Sequence, residues 1–525
     1  MAAYSYIIKG GTIIDGSGFP MYRGDIGISG ETIKEIGSVG RGRATRVIDA
    51  AGKYIVPGFI DVTSHSDTHW TLFTYPAQEN LLAQGITTII GGVCGSSLAP
   101  LVDQKAISSI QKWTDVSNFN INWRSMEEFY GELDRHPMGV NLGSMVGYST
   151  LRYNITEDDA RELTRQELES MKMLLKRSLG EGAFGLSISL AHMPNTLAIQ
   201  EEIVELARIV ANEGKVISIH IRNEGRRLLS SVAEAINIAR SSGAQVHIAH
   251  FKAIGRKAWQ DFPKALLMIR KARKYENLPV SVDFFPYLRT GSLLSNLLPE
   301  WMTEGDREKI LATLSDQTKR ESVLEAIRSL TLHYDNIVIA EAQKDKKIIG
   351  KTVAEIAAQS GLSPEETLVQ ILVVNGLSVT IFSKTLKSKH LVTIAKEPYS
   401  MFASDGVGDP KGRKDLTHPR SYGAAPRFID RLVRRSKIFS WEEAIKRMTA
   451  IPAAHLGIAG ERGSLKKGAL ADIVVIDPDG IQDTATYSAP YQYPKGIEYV
   501  FINGRLAIEK GVPTGALAGK ILRRG

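Results

Sequence analysis

The sequence predicts an α/β protein: a (β/α)8 TIM-like barrel joined to a small β domain built from both chain termini. Three features lead there. Val/Ile-rich runs of strand length alternate with helical patterns through the middle of the chain. Short β segments punctuated by glycine occupy both ends. Residues of the kind that bind metals fall where the central runs finish.

Residues 4–57 contain YSYIIKGGTIIDG, DIGISGETIKEIG and RVIDAAGKYIVPG, whose turn punctuation indicates β-hairpins. The C-terminal stretches GALADIVVIDPDG and GIEYVFINGRLAIEKG have the same character. Neither end is long enough to enclose a core, so the two are expected to pair into one domain, 1–57 with 458–525, around a barrel of 58–457. Within the barrel segment, GITTIIGGV (85–93) follows a helical pattern. VISIHIR (216–222) follows EEIVELARIVANEGK, VHIAHFK (246–252) follows LLSSVAEAINIARSSGA, and VSVDFFPY (280–287) follows a basic helical stretch. Continuous apolar runs of this kind suit parallel strands covered on both faces. Residues 292–350 are polar and helical, and are expected to form a lobe over the barrel mouth.

Composition narrows the function. The 525 residues are 43% hydrophobic and 23% charged, which excludes disordered, collagenous and low-complexity classes. The net charge of +8 is dispersed, and the clusters RGR (41–43) and RLVRR (431–435) are too small for a nucleic-acid face. The first residues lack the pattern of a signal peptide and no run is long enough to span a membrane, so a cytoplasmic protein is expected. The single cysteine cannot form an intrachain disulfide.

In a (β/α)8 barrel the working residues stand at the C-terminal ends of the strands. Cys94 closes GITTIIGGVC, His220 ends VISIH, His250 ends VHIAH, Asp405 follows MFAS, and His65 follows PGFIDV. Thiolate, imidazole and carboxylate together are zinc-type donors. Strand alternation puts His250 with Lys252 and His220 with Arg222, a cation beside each ligand that suits a substrate carboxylate. His247 has the opposite parity and reads as structural. Each residue alone has a plainer explanation: a core histidine, a turn at Asp405-Gly406, a buried apolar cysteine. Their coincidence at strand ends is what points to a metal-dependent barrel hydrolase.

With these residues in place, the chain resembles the amidohydrolase superfamily, and within it the D-aminoacylase (N-acyl-D-amino-acid deacylase) family. The resemblance runs nearly the whole length: IKGGTIIDGSG, AAGKYIVPGFIDV, QGITTIIGGVCGSSLAP, GYSTLR, GAFGLSISL, ISIHIRNE, HIAHFKAIG, DFFPY, ASDG, HPRSYGAAPRF, MTAIPAAHLGI, GALADIVVIDPD and the closing INGRLAIEKGVPTGALAGKILRRG. It implies a barrel with a β-sandwich from both termini, and zinc-dependent cleavage of the amide of a small-molecule substrate. Cys94, His220 and His250 match the ligands of a tightly held zinc, and His65 the second histidine of the HxH motif. Asp405 matches the general base and acid, and Lys252 and Arg420 match residues that grip a substrate carboxylate. Tyr287, the last residue of DFFPY, and Arg289, a substitute charge two residues beyond it, complete the expected substrate-binding set. The oligomeric state is not specified by any of these residues.

The chain departs from the family pattern in four places. The HxH motif reads Thr63-Ser64-His65, with His69 too far along an extended chain to replace the missing ligand, so one zinc is expected and the second position is weakened. Phe285 replaces a tyrosine that would contact the substrate carboxylate, with Arg289 as a substitute charge. Tyr148 stands where GHGTLR has histidine, and His192 where an aromatic is usual. These changes keep two rivals in view: a cyclic-amide hydrolase and a non-catalytic scaffold.

Overall fold

The computed structural model describes all residues except 1–3, 40–43, 103–118, 157–160, 192–197, 303–306 and 331. Eight parallel strands are found in its centre: Phe59–Asp61, Ile86–Gly91, Asn141–Ser144 continuing as Val146–Gly147, Gly185–Ser189, Val216–His220, Gln245–Ile248, Val280–Phe284 and Ser400–Phe402. Each pairs with the next in chain order, as in Ile188 beside Ile219 and Ile219 beside Ile248. The third strand pairs backwards through Asn141–Ser144 and forwards through Val146–Gly147. The ring closes where Ser64 forms a parallel bridge with Gly406 and the Asp405 N–H donates to the Thr63 carbonyl at 3.0 Å. This is the (β/α)8 barrel that the sequence predicts.

The strands are buried on both faces because helices cover the outside and side chains fill the inside, with Ser187, Ser218, His247 and Asp283 alternating with the apolar residues. Helix Gln200–Asn212, for example, buries Ile203, Val204, Leu206, Ala207 and Val210, one stripe at helical spacing. Helix Arg165–Gly180 starts where Thr164 caps it and Glu167 reaches back to the cap, the reciprocal arrangement of a capping box.

The strands of residues 4–57 and 473–513 hydrogen-bond into one nine-stranded sheet. The seam is the antiparallel pairing of Tyr54–Pro57 with Ile473–Ile476, where Val56 faces Val474. Strand Tyr4–Ile13 pairs along its first part with Ala44–Asp49 and at its end with Tyr54–Pro57. The change of partner falls at a bulge between Ile8 and Gly11, where Gly10 takes φ +74°. Ile8, Ile13, Ile26, Ile28, Ile33, Ile55, Ile473 and Phe501 form an apolar core inside this sandwich.

Between the seventh and eighth barrel strands lies a lobe with its own core of Leu294, Ile327, Ile339, Leu368, Leu372 and Ile381. It is longer than the polar helical stretch 292–350 suggests. Its three antiparallel strands are Arg289–Leu293, Val379–Lys384 and Ile337–Ala342, and the middle one lies beyond the expected end. The short strand VTIFSK follows two helices, Val353–Ser360 and Pro364–Val374, after a turn at Asn375-Gly376.

The other end of the barrel is sealed by the C-terminal tail. Leu142 N–H donates to the Lys520 carbonyl at 2.9 Å, Leu522 N–H to the Leu142 carbonyl at 2.7 Å, and Arg524 N–H to the Gly182 carbonyl at 2.9 Å. Leu522 packs with Phe184, Val216, Met401 and Leu456 in the barrel interior. Among the described residues no helix is long and apolar enough to cross a membrane.

Candidate active site

Three site residues occupy the left-handed region of backbone space: Cys94 at φ 52°, His250 at φ 36° and Asp405 at φ 52°. Such conformations cost roughly 1–3 kcal/mol each for side chains of this kind and persist only where surrounding bonds impose them. Here those bonds are visible. The His250 N–H donates to Asp283 Oδ1 at 2.6 Å, and the Asp405 N–H is held by Thr63. The turn before Cys94 is glycine by necessity: a Cβ on Gly92 would sit 2.0 Å from the Met145 carbonyl oxygen. Its N–H donates to the Asp67 carboxylate at 2.5 Å.

These turns converge on one point. The ligand-type atoms of Cys94, His220 and His250 all lie within 4.8 Å of one another. Cys94 Sγ is 3.3 Å from His250 Nε2, and the two imidazoles meet edge to face at 4.4 Å. Burial pushes the Cys94 thiol up, but the rings of His250, His220 and His65 outweigh it and hold the thiol well below its ordinary value. A half-buried thiolate with two imidazoles is a donor set that fits zinc.

Beside this trio stands Asp405. Its Oδ1 is 3.0 Å from His65 Nε2 and its Oδ2 is 2.5 Å from Arg420 Nη1. Burial raises the Asp405 carboxyl, yet the Arg420 guanidinium and the His65 ring more than reverse this and keep it well below the usual carboxylate range. The Arg420 guanidinium lies over the Phe285 ring at 5.2 Å, so the position without a phenol serves as a platform for the arginine.

Lys252 Nζ is 2.9 Å from His250 Nδ1 and 2.5 Å from Glu224 Oε1. Glu224 was not singled out from the sequence. Four residues after His220 in a loop, it reads as an ordinary surface charge, yet it is buried, and its Oε1 is also 3.3 Å from His250 Nδ1. Asp283 was missed as well. Besides holding His250, its Oδ2 accepts from Thr63 Oγ1 at 2.8 Å and lies 2.7 Å from His247 Nε2. A carboxylate in the middle of the apolar run VSVDFF was the available signal.

The expected pairing of His220 with Arg222 does not occur. Arg222 turns to Glu234 at 2.8 Å and to the Ala198 carbonyl at 3.1 Å. Alternation fails because it holds only within a strand, and the strand ends at His220. Likewise the next strand ends at Ile248, and Lys252 reaches the site through the turn at His250. Tyr287 is buried behind the site, its hydroxyl donating to the Pro419 carbonyl at 3.2 Å. Tyr148 donates to Glu202 and accepts from Arg152 at 2.8 Å in a buried network. His69 N–H donates to the His65 carbonyl, a turn that leaves its ring outside the donor trio. Arg289 comes from the lobe, its guanidinium over the Tyr487 ring at 5.2 Å. His192 lies outside the described residues.

A closed (β/α)8 barrel with a Cys-His-His trio and an aspartate at its C-terminal rim defines a metal-dependent hydrolase of the amidohydrolase class. Comparison with known proteins agrees. The amidohydrolase family model matches residues 402–508. Two proteins of Alcaligenes xylosoxydans xylosoxydans match along the chain. N-acyl-D-glutamate deacylase is 31% identical over 99% of this chain and 96% of its own, and D-aminoacylase is 29% identical over 99% and 98%. The crystal structure of N-acyl-D-glutamate deacylase from Bordetella bronchiseptica, complexed with zinc and a phosphonate mimic of the tetrahedral intermediate, superposes with a TM-score of 0.83. It is 29% identical and covers 99% of both chains. The chain belongs to the D-aminoacylase family of the amidohydrolase superfamily.

Proposed function

We propose that this protein hydrolyses the amide bond of N-acyl-D-amino acids, with Cys94, His220 and His250 as the residues that would hold zinc. The observation that carries the reading is the approach of these three donors in one pocket beside Asp405 and Arg420. Zinc held there would polarise the amide carbonyl and lower the pKa of water toward about 7. Asp405, kept ionised by its neighbours, takes the proton of the attacking water and hands it to the leaving nitrogen. His65 fixes one carboxylate oxygen of Asp405 so that the other faces Arg420. Arg420, spread over Phe285, receives the substrate's α-carboxylate, and Lys252, braced by Glu224, adds positive charge next to His250. The products are a carboxylic acid and a free amino acid.

One metal ion belongs to this reading. Thr63 stands at the first HxH position with its hydroxyl committed to Asp283, which supports the loss of a second ligand set. Restoring the histidine in Thr63→His is expected to raise zinc stoichiometry from one toward two by elemental analysis; a wild type holding two would overturn the count. A division into a terminal β-sandwich (1–57 with 458–525) and a barrel (58–457) is part of the same proposal. So is a cytoplasmic location, since a ligand thiolate is best kept in a reducing compartment.

The test is amine release from N-acetyl amino acids of both hands and from cyclic amides, using zinc-loaded protein beside Cys94→Ala. Turnover of D-substrates that disappears in the variant supports the reading. Turnover of cyclic amides alone would replace it with a ring-opening hydrolase, and silence across the panel would favour a scaffold.

A further inference from the structure

Asp405 and Arg420 stand at the two ends of one loop, residues 406–419, which follows the eighth barrel strand. The far part of that loop is fastened to the lobe. Leu416 N–H donates to the Ala340 carbonyl at 2.9 Å, and Lys346 Nζ is 2.9 Å from Asp415 Oδ1. A displacement of the lobe would therefore pull on both site residues unless the neck of the loop were fixed separately.

One buried side chain bridges that neck. Asn80 Nδ2 donates to the Val407 carbonyl at 2.9 Å and to the Ser421 carbonyl at 2.7 Å, and its Oδ1 accepts from the Asp409 N–H at 3.1 Å. Val407 comes just after Asp405 and Ser421 directly follows Arg420, so a single amide ties the two ends together. Asn80 is fully buried in the short helix Glu79–Leu82, ahead of the strand Ile86–Gly91 that delivers Cys94. An amide at that depth is costly unless bonded, and both its N–H groups and its oxygen are used on this loop. Gln84, one helical turn further and equally buried, grips the same place. Its Nε2 donates to the Ser421 carbonyl at 2.8 Å and its Oε1 accepts from the Ala425 N–H at 3.3 Å.

The two ends depend on Asn80 unequally. Around Asp405 the backbone is held by other bonds: its own N–H on Thr63, the Gly406 carbonyl accepting from the His65 N–H at 2.9 Å, and the Ser404 N–H donating to Asp61 at 2.8 Å. The start of helix Arg420–Ile429 is tied to the barrel by the Tyr287 hydroxyl on Pro419 and by the two amides on Ser421. Removing Asn80 therefore falls mainly on the arginine.

We infer that Asn80 is a positioning residue: with Gln84 it fixes where the Arg420 guanidinium stands beside Asp405, and so sets the grip on the substrate's α-carboxylate. This rests on the deacylase reading above, in which Arg420 takes that group. The α-carboxylate does not change during the reaction, so its grip is felt equally in the ground state and the transition state. Loosening it raises KM and leaves kcat.

The experiment measures kcat and KM of zinc-loaded wild type, Asn80→Ala and Gln84→Leu on an N-acetyl-D-amino acid that the wild type turns over. Asn80→Ala is expected to raise KM roughly ten- to hundredfold, the range of a charged hydrogen bond, with kcat within roughly threefold of wild type. A residue that only stabilises the fold would behave differently, because a smaller active fraction lowers kcat and leaves KM. In an Arg420→Met background, Asn80→Ala should add little further loss of kcat/KM, since the group it positions is gone. A fall in kcat alone, an unchanged KM, or losses that add in the double variant would overturn the inference and leave the deacylase reading standing. If Asn80→Ala does not fold, Gln84→Leu decides: it keeps the bulk, removes one donor on Ser421, and should raise KM a few-fold, an unchanged KM being the overturning result. Turnover of no N-acyl-D-amino acid by the wild type would remove the deacylase reading and this inference with it.

Discussion

The two ends of the barrel are built on opposite principles. At the mouth, Cys94, His250 and Asp405 take left-handed backbone conformations, and the side chains around them are mostly ionisable. At the base, the tail residues Lys520, Leu522 and Arg524 bond through their backbones to the third strand and to the turn before the fourth, and Leu522 fills the interior. Lys215 Nζ donates to the carbonyls of Leu179, Ala183 and Arg524 at 2.6, 3.0 and 2.8 Å, so even its charge is used as a staple. Strain is stored at the mouth, where the proposed chemistry sits, and stability is supplied at the other end.

The contrast is tested first at its most reactive point. Asp405→Asn keeps the size of the side chain and removes the proposed base. The rate of amide hydrolysis should fall roughly 10²- to 10⁴-fold. Zinc content, read by elemental analysis, should remain at the wild-type level because Asp405 is outside the donor trio. A rate within a few-fold of wild type would remove Asp405 from the base role.

The next effect is smaller and concerns support. Asp283 touches no ligand side chain except through its neighbours, yet it holds the His250 backbone, Thr63 and His247 at once. Partners that orient metal ligands are typically worth 10- to 100-fold in metal affinity. Asp283→Asn is therefore expected to weaken zinc binding by about that factor, measured by competition with a chelating dye. Unchanged affinity would mean that the turn at His250 holds itself.

How far these residues were legible in the sequence follows from the same contrast. Cys94, His220, His250 and Asp405 could be marked because each closes an apolar run, and the geometry brings all four to one mouth. Arg222 was misplaced because alternation was carried past the end of its strand into a loop. Glu224 and Asp283 stayed hidden because what matters in them is a partner in space. Asp283 meets Thr63 across 220 positions of chain, and no local pattern encodes that contact. The lobe's length was underestimated for a related reason, since its middle strand is defined by the two strands it pairs with.

The smallest expected effect belongs to the base, and it decides whether the two ends are independent. Lys215→Met keeps the aliphatic stem and removes the ammonium, leaving three buried carbonyls without their shared donor. Unsatisfied groups of this kind cost about 1–3 kcal/mol, so thermal unfolding should begin at a lower temperature. The catalytic constants and zinc content should match the wild type, because Lys215 precedes the fifth strand at the end away from His220. If Lys215→Met instead loses zinc or lowers kcat at temperatures where it stays folded, the base is setting the geometry of the mouth. The division of labour between the two ends would then have to be given up.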